Sequence, residues 1–443
     1  MKTLWRTTCR KLVPLTLLAV GQIRAQASPS LATPLWIVRL QPAITWATAT
    51  RPADSDTSLL AATEDGCLHL IDAASGEPLA QPLRALPGVQ LGGQADAGDQ
   101  LCCFDRHTIY TLHTSRPARL LWRFGQAPPA AATFDDDPER LTGWVAAQPT
   151  AAGVLALSSD GHLLVLASDN GRIRRQFDLG PLAVARLYAD ERSAAVLSHQ
   201  GGKTSVTFVD LRLPPAATQT RELDAAWPLF GALLEEGLLT VDTQCVAVWP
   251  PDGLPRRHTL PLAAVRAAGL AVQSGTSTGL SRTTRKLLLS NGRHITALDP
   301  CSGRRYWSID TGVDSAPVRA MFTPQGLCLV QYECQYQWGV IVVAAETGLR
   351  LADHFCSDGS EVIAVHAVRG RLCILSAPPG SADTPAELVV LPLGANTLAP
   401  AGTPGTRLRL ARPQRLRACL WTEERVVLVE AHELRAYALP ALP

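Results

Sequence analysis

Long apolar runs, helical periodicity and paired cysteine motifs are scarce in this sequence, and each shortage excludes something. The longest apolar run near the N-terminus, residues 12–20, falls well short of the roughly 20 residues that cross a bilayer, so no membrane span is expected. None of the 11 cysteines forms C-x-x-C or C-x-x-C-H, which removes zinc-ribbon, thioredoxin-like and c-type haem sites. Apolar residues seldom recur at helical spacing, and that argues against a helical domain. Charged residues make up only 18% and the formal net charge is +2, so no global attraction to nucleic acid is expected. Lysine is rare, with Lys2, Lys11, Lys203 and Lys286 alone among 41 basic residues. That arginine bias, beside abundant Ala, Leu and Pro, tracks GC-rich coding as readily as function.

Apolar residue is plentiful instead: 47% of 443 residues, enough for a sizeable core and too much for a disordered chain. The length fits two or three ordinary domains or one large closed repeat. The N-terminus reads as a secretory signal, with Lys2, Arg6, Arg10 and Lys11 ahead of the apolar run and Ala25-Gln26-Ala27 supplying a small-residue cleavage site. Residues 1–27 are therefore expected to be a cleavable signal peptide, and residues 28–443 the mature domain, periplasmic or secreted. No cysteine follows the apolar run to carry a lipid. Cleavage removes Cys9 and leaves ten cysteines where disulfides are permitted. Cys67, Cys102, Cys103, Cys245, Cys328, Cys373 and Cys419 lie in or beside apolar strand-like runs, where a thiol serves as a small buried hydrophobe. Adjacent Cys102 and Cys103 could form a vicinal disulfide, but a strand sends neighbouring side chains to opposite faces.

One unit recurs. Residues 286–296 read as strand, Asn291-Gly292 turn, strand, and lead into Ala297-x-Asp299-x-x-x-Gly303-x-x-x-Trp307. Copies recur at intervals of about 40 to 55 residues, a period that means stacked supersecondary units. The first has a tight Asp65-Gly66 turn and then Asp72-x-x-x-Gly76; the third has Asp160-Gly161 and Asn170-Gly171. The second, residues 101–122, turns at Asp105-Arg106 and carries its Trp one residue out of step. Looser copies start near Ala194, Leu238, Leu327, Leu372 and Val426, and further short strands lie between copies, as at 144–146, 184–188 and 362–365. Four short strands per unit make the blade of a β-propeller. The last copy stops after its second strand, and residues 34–40, around Trp36, are the natural missing strand, so pairing of the two termini is expected to close the ring. Nine copies are countable, yet propellers usually have about four to eight blades. The expectation is an all-β single propeller of eight four-stranded blades, with nine as the rival.

The segment 287–307 resembles the repeat of the PQQ-like (quinoprotein-type) β-propellers, with Ala297, Asp299, Gly303 and Trp307 on its tryptophan-docking motif. The resemblance covers one blade well and the others weakly, since most copies lack the Trp. It implies that the Trp packs between blades, a structural role. It also implies one of two activities. The first is that of non-enzymatic BamB-like propellers, and the expected function is accordingly an exported protein-binding or assembly scaffold with a protein partner in the cell envelope and no cofactor. The alternative is a dehydrogenase dependent on PQQ and calcium, which would need several converging oxygen ligands and a positioned base. No such ligand set can be matched in the sequence. Such dehydrogenases carry a vicinal cysteine pair near the quinone, which Cys102-Cys103 matches superficially, although Phe104-Asp105-Arg106 keeps this chain's own repeat register. A carbohydrate-binding propeller is the second alternative.

Other motifs carry less. Gly275-Thr276-Ser277-Thr278-Gly279 satisfies the nucleophile-elbow pattern, but the polar residues 280–285 that follow offer no helix, and a Ser/Thr-rich loop is expected. His69, His107, His162 and His294 recur near turns at differing offsets, which reads as hydrogen-bonded or solvated strand histidines rather than a metal ring. Asp135-Asp136-Asp137-Pro138-Glu139 reads as a solvated acidic loop. Arg407, Arg409, Arg412, Arg415 and Arg417 alternate with leucines and form a candidate partner-binding strip suited to phosphate or carboxylate. No catalytic or metal-binding residue is expected.

Overall fold

Alternation of side chains is the device from which the whole molecule is assembled. In the strand that opens the first copy, Ser58–Thr63, every residue is buried. Leu59 and Ala61 point one way, against Val427 and Val429. Leu60 and Ala62 point the other, against Leu101 and Cys103. A strand buried on both faces must be sandwiched between two other sheets, and a series of such sheets can only be stacked or closed into a ring.

The structure, a computed structural model, describes residues 31–440 except 51–56, 95–99, 115–118, 126–142, 213–217, 260–264, 278–279, 292, 313–318, 324–325, 335–336, 357–358, 369, 379–383, 394–405 and 412–415. Its 36 strands form nine four-stranded antiparallel sheets, and there is no helix among the described residues. We number the blades 1 to 9: residues 44–84, 90–125, 144–178, 184–223, 230–259, 267–310, 319–355, 361–410, and 418–438 together with 36–39. Within each of blades 1–8 the strands pair in sequence order. At six of the nine junctions the first strands of neighbouring blades touch one another, so first strands line the axis and the fourth strands form the rim.

Nine hydrophobic clusters hold the ring, each shared by two adjacent blades. The cluster between blades 9 and 1 belongs to the same series, which closes the circle. Trp36–Arg39 pairs antiparallel with Glu433–Ala438, in the register Trp36↔Ala436 to Arg39↔Glu433, and completes blade 9 from the other end of the chain. All nine copies read in the sequence form blades, so the count is nine rather than eight.

The polar stretch expected as a loop after residue 279 instead continues a strand. Ala267–Ser277 pairs with Leu280–Ser290 along its whole length, Ser277 opposite Leu280. Thr and Ser fit a pleated ribbon, and local hairpin pairing outweighs their loop tendency. Ser277 therefore lies on a hairpin, not on a strand-to-helix turn.

Candidate interaction surfaces

The Asp-Gly turns join second to third strands by local hydrogen bonding. Thr63 Oγ1 donates to Asp65 Oδ1 at 2.6 Å, which holds the carboxyl below its ordinary pKa, and Gly66 N–H closes the turn on Thr63 O at 2.9 Å. Gly66 has φ +83°, and a Cβ there would stand 2.5 Å from Leu86 C, so no other residue fits. The Asp160-Gly161 turn repeats the plan: Ser158 Oγ donates to Asp160 Oδ1 and Gly161 N–H to Ser158 O. At the third-to-fourth turns the Asp caps the residues after it. Asp72 accepts from Ala74 N–H and Ser75 Oγ, both at 2.9 Å. Asp299 accepts from Cys301 N–H at 2.9 Å, Ser302 N–H at 2.7 Å and the Tyr306 hydroxyl at 3.1 Å. Burial alone would raise the Asp299 pKa, but these donors outweigh it and hold the carboxyl low.

These turns are where blades lock together. Trp307, on the rim strand of blade 6, lies over Gly348 in blade 7 and donates its indole N–H to Ala345 O at 3.1 Å. Trp36 lies over Gly76 and donates to Ala73 O at 3.1 Å; Trp122 lies over Gly171 and donates to Ser168 O at 2.8 Å. Gly303 receives a different ring, His258 of blade 5, with Nε2 and Cys301 O 3.1 Å apart. At two other junctions an arginine makes the bond, and in blade 5 Arg221 Nη2 also donates to Gly253 O. Arg175 Nη1 donates to Leu211 O, and Arg221 Nη1 to Pro250 O at 3.2 Å. Trp36, Trp122, Arg175, Arg221 and Trp307 all stand opposite the fourth residue of the strand beside them: Ala436, Thr111, Val165, Val206 and Ala297. A flat ring that lies on the turn needs a glycine beneath it, whereas a long guanidinium bonds the turn carbonyls without covering a glycine. Sequence reading missed Arg175, Arg221 and His258 in this role, although Arg175 sits four residues after Gly171, in the Trp slot.

The remaining sequence candidates disperse. Cys102 faces the cluster between blades 2 and 3, and Cys103 the one between blades 1 and 2. Both thiols are free, and burial pushes Cys102 up to about 12. Cys67, Cys245, Cys301, Cys328, Cys373 and Cys419 are likewise free thiols. His69 is held below its ordinary pKa by burial, while His162 stands 3.6 Å from Asp160 and His294 3.9 Å from Asp310. Among the described residues no group of three His, Cys, Asp or Glu could hold a metal ion. Arg407 and Arg409 lie exposed on the rim strand of blade 8, Arg407 3.4 Å from Glu387, whereas Arg417 is 3.9 Å from Glu64 at the blade 9–blade 1 junction. Arg412, Arg415, the acidic run 135–139 and residues 1–27 lie outside the described residues.

Sequence reading also passed over Asp105 as a functional group. Buried in the turn of blade 2, it accepts from Leu86 N–H at 3.1 Å, His107 N–H at 2.7 Å, Thr108 N–H at 2.8 Å and the Tyr110 hydroxyl at 2.8 Å. Burial, then that last bond, pushes the Tyr110 phenol up. Every lone-pair direction is used, which makes this a structural hub with no free acid to offer. An open polar cleft of about 650 Å³ beside blades 4 and 5 is lined by Lys203, Glu222, Asp224 and Asp242, but Lys203 already neutralises Glu222 at 3.1 Å. The nine axial strands carry only three charged residues, Arg186, Arg319 and Glu361. Arg186 is engaged at a junction, stacked over Trp227 and donating to Pro228 O at 3.0 Å.

No protein-family model and no curated protein matches the chain. Solved structures do. A eukaryotic initiation factor is 11% identical over 87% of this chain and 89% of its own, with a TM-score of 0.50. The C-terminal WD40 domain of Sif2 is 10% identical over 93% and 99%, with a TM-score of 0.48, and BamB from Moraxella catarrhalis 13% identical over 92% and 100%, with a TM-score of 0.42. At such identities the likeness shows the fold alone. The chain is a single nine-bladed β-propeller. No helix among the described residues is long and apolar enough to cross a membrane.

Proposed function

We propose that the protein is an exported, non-enzymatic propeller of the PQQ-like repeat type that binds protein partners in the cell envelope as a scaffold. The observation that carries this reading is the placement of charge. The axial strands, where a propeller enzyme would gather its acids and bases, hold a single carboxylate, Glu361. The side chains that could have done chemistry are committed to junctions, as with Asp105, Arg175 and His258. What the ring offers is a large rigid surface, and such surfaces bind macromolecules. Export is supported by the basic, apolar and small-residue order of residues 1–27.

The test has two arms. Cell fractionation with N-terminal sequencing is expected to find the protein in the envelope, beginning at Ser28. Cross-linking there is expected to return one stoichiometric protein partner. Titration with quinone and calcium is expected to leave the melting temperature unchanged; saturable binding with quinone-dependent dye reduction would overturn the scaffold reading in favour of a dehydrogenase.

A further inference from the structure

Arginine is concentrated on the rim. The nine fourth strands contain 46 residues, among them 13 arginines, at least one per strand, against four carboxylates and no lysine. The whole chain is nearly balanced, 41 basic residues against 39 acidic. Charged side chains commonly blunt exposed strand edges, but that purpose is served by either sign. The rim strands of blades 1, 2, 3, 5, 8 and 9 are net positive, while those of blades 4, 6 and 7 set one arginine against one carboxylate. The positive belt therefore runs from blade 8 through blade 9 to blade 3, with guanidinium groups suited to bidentate carboxylate pairing.

At the seam where the ring closes, the belt meets a second feature. Residues 31–39 alternate strictly in exposure, with Ala32, Pro34, Trp36 and Val38 turned inward. The outward face holds Leu31, Thr33, Leu35 and Ile37, the three apolar side chains exposed by 53%, 52% and 47%, and then Arg39. Large apolar side chains on the solvent face of an edge strand invert the usual pattern and mark a contact surface. The segment bridges two blades: Ala32 N–H donates to Arg409 O at 2.7 Å on the blade 8 rim, and Leu35 N–H to Ala436 O at 2.8 Å in blade 9. Arg407 and Arg409 therefore lie on the same seam as Leu31, Leu35 and Ile37.

We propose that this seam binds an extended polypeptide segment in which carboxylates alternate with apolar side chains. The proposal rests on the scaffold reading and names the chemistry of its partner. Arg409 receives a carboxylate, and so do Arg39 and Arg407, whose exposed pairs with Glu433 and Glu387, both at 3.4 Å, are weak enough to be shared or exchanged; Leu31, Leu35 and Ile37 receive the apolar groups. Nucleic acid would satisfy the arginines and leave the aliphatic side chains without a counterpart. A flat anionic bilayer meets only part of a convex rim, whereas a peptide follows it.

The test uses the full mature chain and a short fluorescent peptide of strictly alternating Glu and Val. Saturable binding is expected, weakening as salt rises. It should fall at least about tenfold in the double variant Arg409→Glu with Ile37→Ser, both sites exposed, with an unchanged melting temperature. Photo-cross-linking in the wild-type protein should map the peptide to residues 31–39 and 406–410, so the result does not depend on the variant folding. Absence of binding, equal binding by the variant, equal binding of a Lys–Val peptide, cross-links elsewhere, or preference for phosphatidylglycerol vesicles or a DNA oligonucleotide overturns the proposal. If envelope cross-linking still returns a stoichiometric partner, the scaffold reading survives that failure; if it returns none, both fall.

Discussion

Replacing Trp307 and Gly348 singly and together tests whether ring and turn act as one device. Trp307 is half-buried, so truncation to Ala forfeits about half of the ~4 kcal/mol typical of a buried aromatic, or ~2 kcal/mol. Its indole hydrogen bond to Ala345 O adds ~1 kcal/mol, so Trp307→Ala is expected to cost ~3 kcal/mol. In Gly348→Ala the new Cβ would stand 2.8 Å from Trp307 Cδ2, and φ is +73°. Left-handed strain costs ~1 kcal/mol and expulsion of the ring a further ~2 kcal/mol. With the ring already gone, only the strain remains. The double variant should therefore lose ~4 kcal/mol rather than the ~6 kcal/mol of simple addition, a coupling of ~2 kcal/mol. Urea midpoints with the slope monitored provide the measurement. Additivity to within about 0.5 kcal/mol would refute the stacked geometry.

Further consequences can be measured in the same way. Asp105→Ala takes the acceptor from one buried and two half-buried N–H groups and from a buried phenol, and should cost ~3 kcal/mol by thermal melting, with Asp105→Asn milder. Asp299→Ala should cost ~1 kcal/mol at neutral pH. Because folding lowers the Asp299 pKa, its contribution is present above the unfolded value near 3.8 and disappears as pH falls through the folded one, so wild type and variant should converge in acid. Burial raises Cys102, Cys328 and Cys373 from 9.0 to about 12, so stability is expected to decline as pH climbs from 9 towards 12. At neutral pH those thiols should resist a disulfide reagent until urea is added; immediate labelling of all three would contradict their burial. Deleting residues 1–40 leaves the Glu433–Ala438 edge open, and sedimentation velocity should then show association that grows with concentration.

The blades were legible because their signals are local. Asp65-Gly66 and Asp160-Gly161 specify turns by backbone conformation, and doubly apolar strands such as Gly153–Ser158 declare burial on both sides. Ring closure was legible from a deficit, a last copy one strand short, which Trp36–Arg39 fills. The count of nine contradicted only a prior about propeller size, since each copy was visible. Inter-blade locking was half-hidden. Loss of Trp from a copy reads as loss of the contact, but the requirement is a donor of the right reach, and Arg175, Arg221 and His258 meet it from other chemistry. The Arg407 and Arg409 strip was readable as alternation, but its continuity with Leu35 and Ile37 was not. Those residues are hundreds of positions apart and meet only when the ring is shut.

That shutting has a consequence in time. Arg39 Nε meets Glu433 Oε2 across 394 positions of sequence, at 3.4 Å. Contacts of such separation form late, because the loop entropy must be met before they contribute. Any process that delivers the chain progressively, whether synthesis or passage through a membrane, keeps the N-terminal strand waiting until residues 433–438 arrive. The seam surface does not exist before then. A fragment stalled short of its last blade would display Leu31, Leu35 and Ile37 on a loose tail and never on a rim, so the seam doubles as a completeness check: only a finished molecule can present it.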